Sequence, residues 1–250
     1  MTKLAALAVA AAFAALPAGA QTLGYNVSAD LGVGVQSRPE YPGAGDNEAA
    51  PWFILRDFSV SRGDAVSSAG VPQGFSWGLS TGLAPERDSG DYARLNGLDK
   101  VSRGVELGLR AGYGVGDVQG YIAARKAVSG HEGVVGEVGV RYSTNLNDRI
   151  RLTSRVEAQY GDSDYMNSYF GVSAAEVANG ANFPVYEASG GIKAVQASLE
   201  ARYALTDSSA ILGRVTVGRL KNDAADSPIT EDKNQFSVGI GYVRSLNFGF

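Results

Sequence analysis

The sequence predicts an all-β protein, a transmembrane antiparallel up-and-down β-barrel of about 12 strands. Apolar residues alternate with small or polar ones over segments of up to about 15 residues, long enough to cross a bilayer as tilted strands of about 9 to 11 residues. Strands of soluble β-sandwiches typically have about 5 or 6 residues. Glycine makes up 33 of the 250 residues, and many glycines occupy the polar side of the alternation. A narrow barrel explains this excess, since small inward residues leave room for charged neighbours.

The N-terminus has the features of a secretory signal peptide. Lys3 supplies a positive charge, residues 4–16 are apolar, and Ala18-Gly19-Ala20 forms a small-x-small cleavage pattern. This apolar stretch is shorter than the roughly 20 residues of a membrane-spanning helix. We therefore expect a signal peptide at 1–20 and a barrel at 21–250.

Eleven segments show strand character, and the clearest is 23–36. There Leu31, Val33 and Val35 share one face, while Gly32 and Gly34 share the other. The segments are 23–36, 51–59, 73–84, 101–115, 118–128, 133–145, 149–160, 167–173, 188–205, 209–220 and 235–245.

Bacterial single-chain barrels have even strand counts, so we expect one additional strand. Phe58, Val60 and Val66 are the candidates for it. The prediction is twelve strands, with ten as the alternative.

The C-terminal segment alternates up to a terminal aromatic residue, Phe250, which is similar to the assembly signal of outer-membrane barrels. Arg244 interrupts its apolar face. A lipid-facing arginine at mid-depth costs about 2 to 4 kcal/mol, so either it reaches an interface or the strand bends there.

Aromatic residues near strand ends predict interfacial girdles. They are Tyr25, Trp52, Phe75, Trp77, Tyr113, Tyr142, Tyr160 and Tyr169.

The alternation also predicts which charged side chains face the lumen. If they pair, they close the bore; if arginines and carboxylates form separate ladders, they create a field across a narrow channel. The inward set is Asp30, Glu106, Arg110, Arg125, Glu137, Arg141, Arg151, Arg155, Glu157, Glu200, Arg202 and Arg214.

Composition argues against several functional classes. With 22 basic and 26 acidic residues interspersed along the chain, there is no concentrated basic face for nucleic acid. The absence of cysteine excludes disulfides and thiolate metal sites. We expect no cofactor and no metal. The acidic loop residues Asp223, Asp226, Glu231 and Asp232 lack the spacing of an EF-hand calcium loop.

The only histidine, His131, lies two residues after Ser129 between glycines. A serine hydrolase needs a base within hydrogen-bond reach of its nucleophile, and catalytic partners usually converge from separate strands or loops. We therefore expect no catalytic residues, with His131 as a polar loop residue and an outer-membrane hydrolase as a remote alternative.

Four pieces of sequence, in order, resemble the MipA/OmpV family of outer-membrane proteins: 39–43, 130–133, 168–173 and 223–229. The matching positions are Tyr41, Gly43, His131, Gly133, Tyr169, Phe170, Gly171, Asp226, Ser227 and Pro228. The family commonly ends in an aromatic-Arg-Phe tripeptide, whereas here Tyr242-Val243-Arg244 is followed by six more residues.

The resemblance implies an outer-membrane barrel without catalytic residues. The family's name-giving member is a scaffold that joins a murein-degrading lytic transglycosylase to a bifunctional penicillin-binding protein. We therefore expect an interaction protein surrounded by outer-membrane lipid, with those two enzymes as partners. A narrow solute channel and an adhesin are the alternatives.

Overall fold

The computed structural model describes residues 25–62 and 70–249. The predicted signal peptide at 1–20 and Val66 lie outside the described residues. No helix within the described part of the chain is long and apolar enough to cross a membrane.

The described residues form a closed barrel of ten antiparallel strands, each paired with its neighbours in sequence, and β1 pairs with β10. The predicted barrel is confirmed, and its strand number is the alternative of ten. The strands are β1 (Tyr25–Pro39), β2 (Asn47–Arg62), β3 (Gly74–Ala84), β4 (Gly104–Val115), β5 (Val118–Ala127), β6 (Val134–Asn145), β7 (Ile150–Gly161), β8 (Gly191–Thr206), β9 (Ser209–Leu220) and β10 (Asn234–Gly249).

The preferred prediction of twelve strands was wrong, because two of the predicted strands do not form. Phe58 and Val60 continue β2 and do not start a further strand. The segment 167–173 is largely helical, because Asp162 caps a helix, α1 (Ser163–Phe170), by accepting a hydrogen bond from the backbone N–H of Tyr165. Its apolar residues therefore pack against loops rather than facing lipid.

The connections differ in length at the two ends of the barrel. At one end, here called the turn end, the connections 116–117, 146–149 and 207–208 are short, and the connection 63–73, of which 70–73 are described, is longer. At the other, the loop end, the connections are 40–46, 85–103, 128–133, 162–190 and 221–233. The loop end also carries a 3-10 turn (Ala93–Leu95) and the helices α1, α2 (Ala174–Ala178) and α3 (Asn222–Asp226).

The outer surface of the barrel is apolar. Outward side chains such as Val33, Leu109 and Val140 are more than half exposed, as expected for residues that meet lipid. Arg244 is also exposed but pairs with Ser209, the first residue of β9 after a tight turn. It therefore lies level with the turn end, where the guanidinium reaches an interface.

Most of the predicted girdle residues are on the outer surface, but two are not. Phe75, Trp77 and Tyr113 are exposed near the turn end, as are Tyr142 at that end and Tyr160 at the loop end. Trp52 is 9% exposed inside the barrel and Tyr169 is fully buried among the loops, so their assignment to a girdle was wrong. The side chain of Tyr25 lies outside the described residues.

The barrel interior has an apolar side and a polar side. Trp52 and Ile54 of β2 pack with Ala210, Leu212 and Val243 from β9 and β10. Gly241 lies against Ile54, where an added Cβ would approach the isoleucine Cδ1 to 2.8 Å. The inward charged residues lie on β1 and on β4 to β9, and these build the lumen described below.

Candidate functional site

The five long connections fold together into one structure across the loop end of the barrel, here called the cap. Each connection contributes buried residues, and the cap packs in two apolar clusters. One cluster centres on Tyr169 and Phe170 of α1, and the other on Leu95 and Ile229. These packed residues cover the end of the lumen beneath them.

The residues that resembled family motifs lie in the cap, where they fasten the loops to each other. The Ser227 hydroxyl donates to the Phe170 carbonyl at 2.6 Å, and the Tyr41 hydroxyl donates to Glu231. Gly43 has a φ of +96°, a conformation that favours glycine, and its carbonyl accepts from the backbone N–H groups of Glu231 and Asp232.

The other motif positions serve the same cap. Gly171 ends α1, and the Pro228 carbonyl accepts from Arg94 at 3.4 Å. Asp226 pairs with Lys233 at 3.0 Å near the surface. An added Cβ at Gly133 would clash with the backbone nitrogen of Tyr165.

His131 is buried between the cap and the barrel wall. Its Nδ1 accepts from the backbone N–H of Gly133 at 3.1 Å, and its Nε2 lies 3.1 Å from a carboxylate oxygen of Glu106. An accepting Nδ1 carries no proton, so the neutral ring donates from Nε2 to Glu106. Both nitrogens are therefore engaged, and neither is available to activate Ser129, whose hydroxyl oxygen accepts from the Val105 N–H.

A buried ion pair, Arg87 with Glu176, connects two loops of the cap and lies apart from the barrel wall. Arg87 donates to the carbonyls of Tyr169 and Asp99 at 3.2 and 3.1 Å and lies 3.8 Å from Glu176. Glu176 forms a capping box with Ser173 at the start of α2 and also accepts from the Asp99 N–H at 2.8 Å. These contacts tie the loop between β3 and β4 to the loop between β7 and β8.

The Glu176 carboxylate makes the stability of the cap depend on pH. Burial raises the pKa of Glu176, but the N–H groups of Ser173 and Asp99 and the charge of Arg87 outweigh it, so the pKa lies below 4.5. A depressed folded-state pKa gives stabilisation that is complete above about pH 4.5 and is lost as the pH falls through the folded value.

We expect Glu176→Gln to loosen the cap at mildly acidic pH and to make little difference once the wild-type carboxyl is protonated. The measurement is pepsin cleavage of the loops in the detergent-solubilised barrel, expressed as the ratio of variant to wild-type rates. That ratio should exceed 1 near about pH 5 and fall towards 1 over the acidic interval in which the wild-type carboxyl becomes protonated. A ratio that stays constant across this interval would contradict the assignment.

Beneath the cap, Arg125 of β5 joins two carboxylates that lie on the adjacent strands β4 and β6. Its Nε donates to Glu106 and its Nη1 to Glu137, each at 3.1 Å, and Nη1 also reaches the Ser80 hydroxyl at 3.1 Å. An added Cβ at Gly82 would collide with the Glu106 carboxylate. Glycine at this position therefore makes the room that the ion pair occupies.

Other predicted lumen residues pair farther along the barrel. Arg202 donates to Asp30 at 2.8 Å, and Arg214 donates to Glu200 at 2.7 Å. Glu157 accepts from Tyr121 and Gln196, each at 2.5 Å. Arg110 stacks over the Tyr121 ring, with its guanidinium carbon 3.7 Å from the ring centroid.

The structure places the twelve predicted side chains inside the barrel, in two levels. Glu106, Arg125 and Glu137 are grouped under the cap. Arg141, Arg151 and Arg155 line a cavity of about 1330 Å³ nearer the turn end. This cavity, here called the chamber, extends to the turn residues Asn147, Asp148 and Asp207 and therefore opens at the turn end.

The acidic loop residues have separate roles. Asp223 accepts from the Ser189 N–H at 2.7 Å, and Asp232 accepts from the Asn234 N–H at 2.8 Å. Glu231 faces Tyr41 and Arg94. Within the described ranges no group of three or more acidic or histidine side chains is arranged to hold a metal ion.

Sequence reasoning missed several residues that build the site. Arg87, Leu95 and Tyr165 are buried in the cap but lie in segments without strand alternation. Lys193 places its ammonium nitrogen 3.8 Å from the Tyr165 ring centroid. One signal for the helices was present, since Ser173 followed by Glu176 at the third position is the sequence pattern of a capping box.

A closed barrel with an apolar outside, a charged inside, short turns at one end and folded loops at the other defines an outer-membrane β-barrel protein. A family model described as "MltA-interacting protein MipA" matches residues 31–246. The chain belongs to this family, as the motif resemblance predicted, and its place is the outer membrane.

Two curated outer-membrane proteins are related in sequence. Omp26La of Vibrio anguillarum is 30% identical over 162 residues, and OmpV of Vibrio cholerae serotype O1 is 31% identical over 162 residues. Each alignment covers 64% of this chain and 60% of the relative. The chain thus matches about three fifths of the length of these relatives.

Two solved outer-membrane barrels match with low structural similarity. The N-terminal barrel domain of OprF from Pseudomonas aeruginosa has a TM-score of 0.34 at 9% identity, covering 70% of this chain and 98% of that one. The outer-membrane channel DcaP of Acinetobacter baumannii has a TM-score of 0.37 at 10% identity, covering 92% and 100%. The family assignment therefore depends on the sequence match.

Proposed function

We propose that this protein is a closed barrel that anchors a murein-degrading lytic transglycosylase at the inner surface of the outer membrane and has no catalytic activity of its own. The cap is the observation that supports this most. Tyr169, Leu95 and Ile229 are fully buried in it, and a barrel whose end is filled by packed loops serves as a membrane anchor better than as an open pore. The family description, an MltA-interacting protein, supplies the class of partner.

Orientation decides which surface the partner can reach. Outer-membrane barrels carry short turns on the periplasmic side and longer loops outside. By this rule the turns 116–117, 146–149 and 207–208 and the mouth of the chamber face the periplasm, where murein enzymes act. The docking surface we propose is this turn end, and a penicillin-binding protein would join the complex there.

Orientation can be tested first, because the chain contains no cysteine. A single cysteine introduced as Ala178→Cys in the exposed part of α2 should react with a membrane-impermeant maleimide on intact cells. One introduced as Asp148→Cys in a turn should react only after the outer membrane is permeabilised. The reverse pattern would refute docking at the turns.

Docking itself can be tested with the full-length barrel in detergent and the purified lytic transglycosylase encoded by the same genome. Capture should be specific against an unrelated periplasmic enzyme of similar charge. The charge reversal Asp148→Lys with Arg149→Glu should weaken capture about tenfold, whereas Asp91→Lys in an extracellular loop should leave it unchanged. Equal capture of both enzymes would contradict the proposal.

A solute channel is the second candidate, because the chamber of about 1330 Å³ gives a small molecule room to enter. The anchor and the channel predict different conductances of the purified barrel. A capped barrel should pass no steady current in a planar bilayer at neutral pH, whereas a channel should. A steady current from the wild-type protein would replace the anchor proposal with the channel.

A further inference from the structure

The barrel wall is closed only weakly between β2 and β3. Val60 and Trp77 are the single residue pair that joins these two strands along their described length. Every other neighbouring pair of strands is joined by a ladder that follows most of the shorter strand. The Val60–Trp77 pair lies near the turn end, so the interval between β2 and β3 from there towards the loop end, here called the seam, lacks paired residues.

Side-chain contacts cross the seam in place of a ladder. The Thr81 hydroxyl of β3 donates to the Leu55 carbonyl of β2 at 3.3 Å. Nearer the loop end, the Tyr92 hydroxyl, in the connection that follows β3, donates to Glu48 of β2 at 3.2 Å. The seam is thus bounded by the strand pair near the turn end and by Tyr92 at the loop end.

The sequences of the two strands suit an unpaired interval. Pro51 lies in β2, and proline has no N–H to donate, so in sheets it is confined to edge strands, strand starts and bulges. The inward positions of β3 beside the seam carry small residues, namely Ser76, Gly78, Ser80 and Gly82. No large side chain of β3 therefore separates the seam from the lumen.

The chamber reaches the outer surface of the barrel at the seam. Leu55, Trp77 and Leu79 face outward and are exposed, yet all three also line the chamber. From β4 to β9, the strand residues that line the chamber face inward, apart from residues beside its mouth such as Ile150 and Leu205. The seam is therefore the part of the wall where the cavity and the lipid-facing surface meet.

An unpaired sheet edge at membrane depth needs water or protein beside it. Open edges do not face lipid alone, and they are tolerated where they line a water-filled cavity. The chamber has a volume of about 1330 Å³ and polar side chains such as Ser76 and Thr153 in its lining, which is enough room and polarity for water. The seam therefore has water on its inner side and hydrocarbon on its outer side.

We propose that the seam is a lateral opening that binds a single-chain amphiphile, with the acyl chain among Leu55, Trp77 and Leu79 and the polar head in the chamber. An amphiphile suits both sides of such an opening, since its chain stays out of water and its head keeps its hydration. The opening is one interval between two strands, so it admits one chain. Lipid surrounds the barrel, and the ligand enters from the bilayer. This site goes beyond protein docking, which uses the turns.

The test is photo-cross-linking of the full-length barrel in lipid nanodiscs. One probe is lysophosphatidylcholine with a diazirine next to its head group, and the comparison probe is two-chain phosphatidylcholine with the same group at the same place. We expect the single-chain probe to label inward residues such as Ser76 and Ser80, and the two-chain probe to label only the outer surface, as mapped by mass spectrometry. Absence of chamber labelling, or equal chamber labelling by both probes, would overturn the proposal.

A reversible cross-link across the seam separates lateral entry from entry at the turn end. The chain contains no cysteine, so Leu55→Cys with Thr81→Cys can be joined after folding by a short bifunctional methanethiosulfonate reagent and released by reduction. Cross-linking should abolish chamber labelling, and reduction should restore it. Labelling that persists in the cross-linked barrel would mean that the probe enters at the turn end, and the proposal would fail.

The matched control is a cross-link on a fully paired part of the wall. Val140→Cys with Val156→Cys places the two thiols at exposed positions that are direct neighbours on β6 and β7, and joining them should leave chamber labelling unchanged. An equal loss in both variants would mean that stiffening of the barrel, rather than closure of the seam, stops entry, and the proposal would fail.

Misfolding does not imitate the expected result. The reagent is added to barrels whose folding has been checked by their heat-dependent mobility in gel electrophoresis, and reduction returns each sample to its starting state. The labelling of the wild-type protein tests the proposal without any substitution. No murein enzyme is present, so failure here leaves the docking experiment independent.

Discussion

Arg125→Met should destabilise the barrel by about 3 to 5 kcal/mol, because it leaves two largely buried carboxylates without their shared cation. Arg125 contacts Glu106 and Glu137 at 3.1 Å each. His131 contacts Glu106 and Arg110 lies 4.0 Å from Glu137, but neither joins both carboxylates as Arg125 does. The measurement is the free energy of unfolding in guanidinium chloride with the barrel in detergent micelles.

The matched control is Arg103→Met, which removes an arginine whose side chain is 52% exposed and lies 3.8 Å from Glu86. Exposed pairs of this kind contribute about 0 to 1 kcal/mol, so its stability should be nearly unchanged. Adding Glu106→Gln and Glu137→Gln to Arg125→Met should recover part of the loss. A loss below about 1 kcal/mol for Arg125→Met, or no recovery in the triple variant, would contradict the role assigned to the pair.

Tyr169→Ala should open the cap while leaving the barrel folded. The side chain is fully buried, its hydroxyl donates to the Pro85 carbonyl at 2.8 Å, and its ring lies 5.7 Å from His131 and 4.8 Å from Tyr165, centroid to centroid. Removing a buried aromatic side chain costs about 3 to 5 kcal/mol, and here the loss falls on packing between loops. The expected result is trypsin cleavage after Arg94 or Lys100 under conditions where the wild-type loops resist.

Tyr169→Phe separates the hydrogen bond from the packing. It keeps the ring and loses only the bond to Pro85, so the expected cost is about 1 kcal/mol and cleavage should stay close to the wild-type rate. If the alanine and phenylalanine variants were cleaved equally fast, packing by Tyr169 would not hold the cap. Loss of the heat-dependent gel mobility in Tyr169→Ala would show that the cap and the barrel fold as one unit.

Strands could be predicted from the sequence because alternation is a local property. Whether Leu109 faces lipid and Arg110 faces the lumen follows from adjacent positions in one strand. The partners of those lumen residues could not be predicted in the same way. Arg202 and Asp30 lie 172 residues apart in the chain, and they meet only because of the tilt and closure of the barrel.

The cap was not predicted, for a related reason. Tyr169, Phe170 and Val172 are apolar enough to suggest a strand, yet the Asp162 and Ser173 caps favour short helices. Trp52 shows a different limit of prediction from alternation. An apolar residue that faces lipid cannot be distinguished by alternation from one that packs inside the barrel, as Trp52 does against Leu212 and Val243. In both cases contacts between distant segments decide the outcome.

The composition of the cap from five separate connections has a consequence for biogenesis. Tyr41 comes from the first connection and Ile229 from the last, and they share one cluster. These residues come together only when the first and last strands have met, so a partly inserted sheet lacks this cluster of the cap. The onset of protease resistance in these loops therefore reports the moment during membrane insertion when the final hairpin joins the first strand.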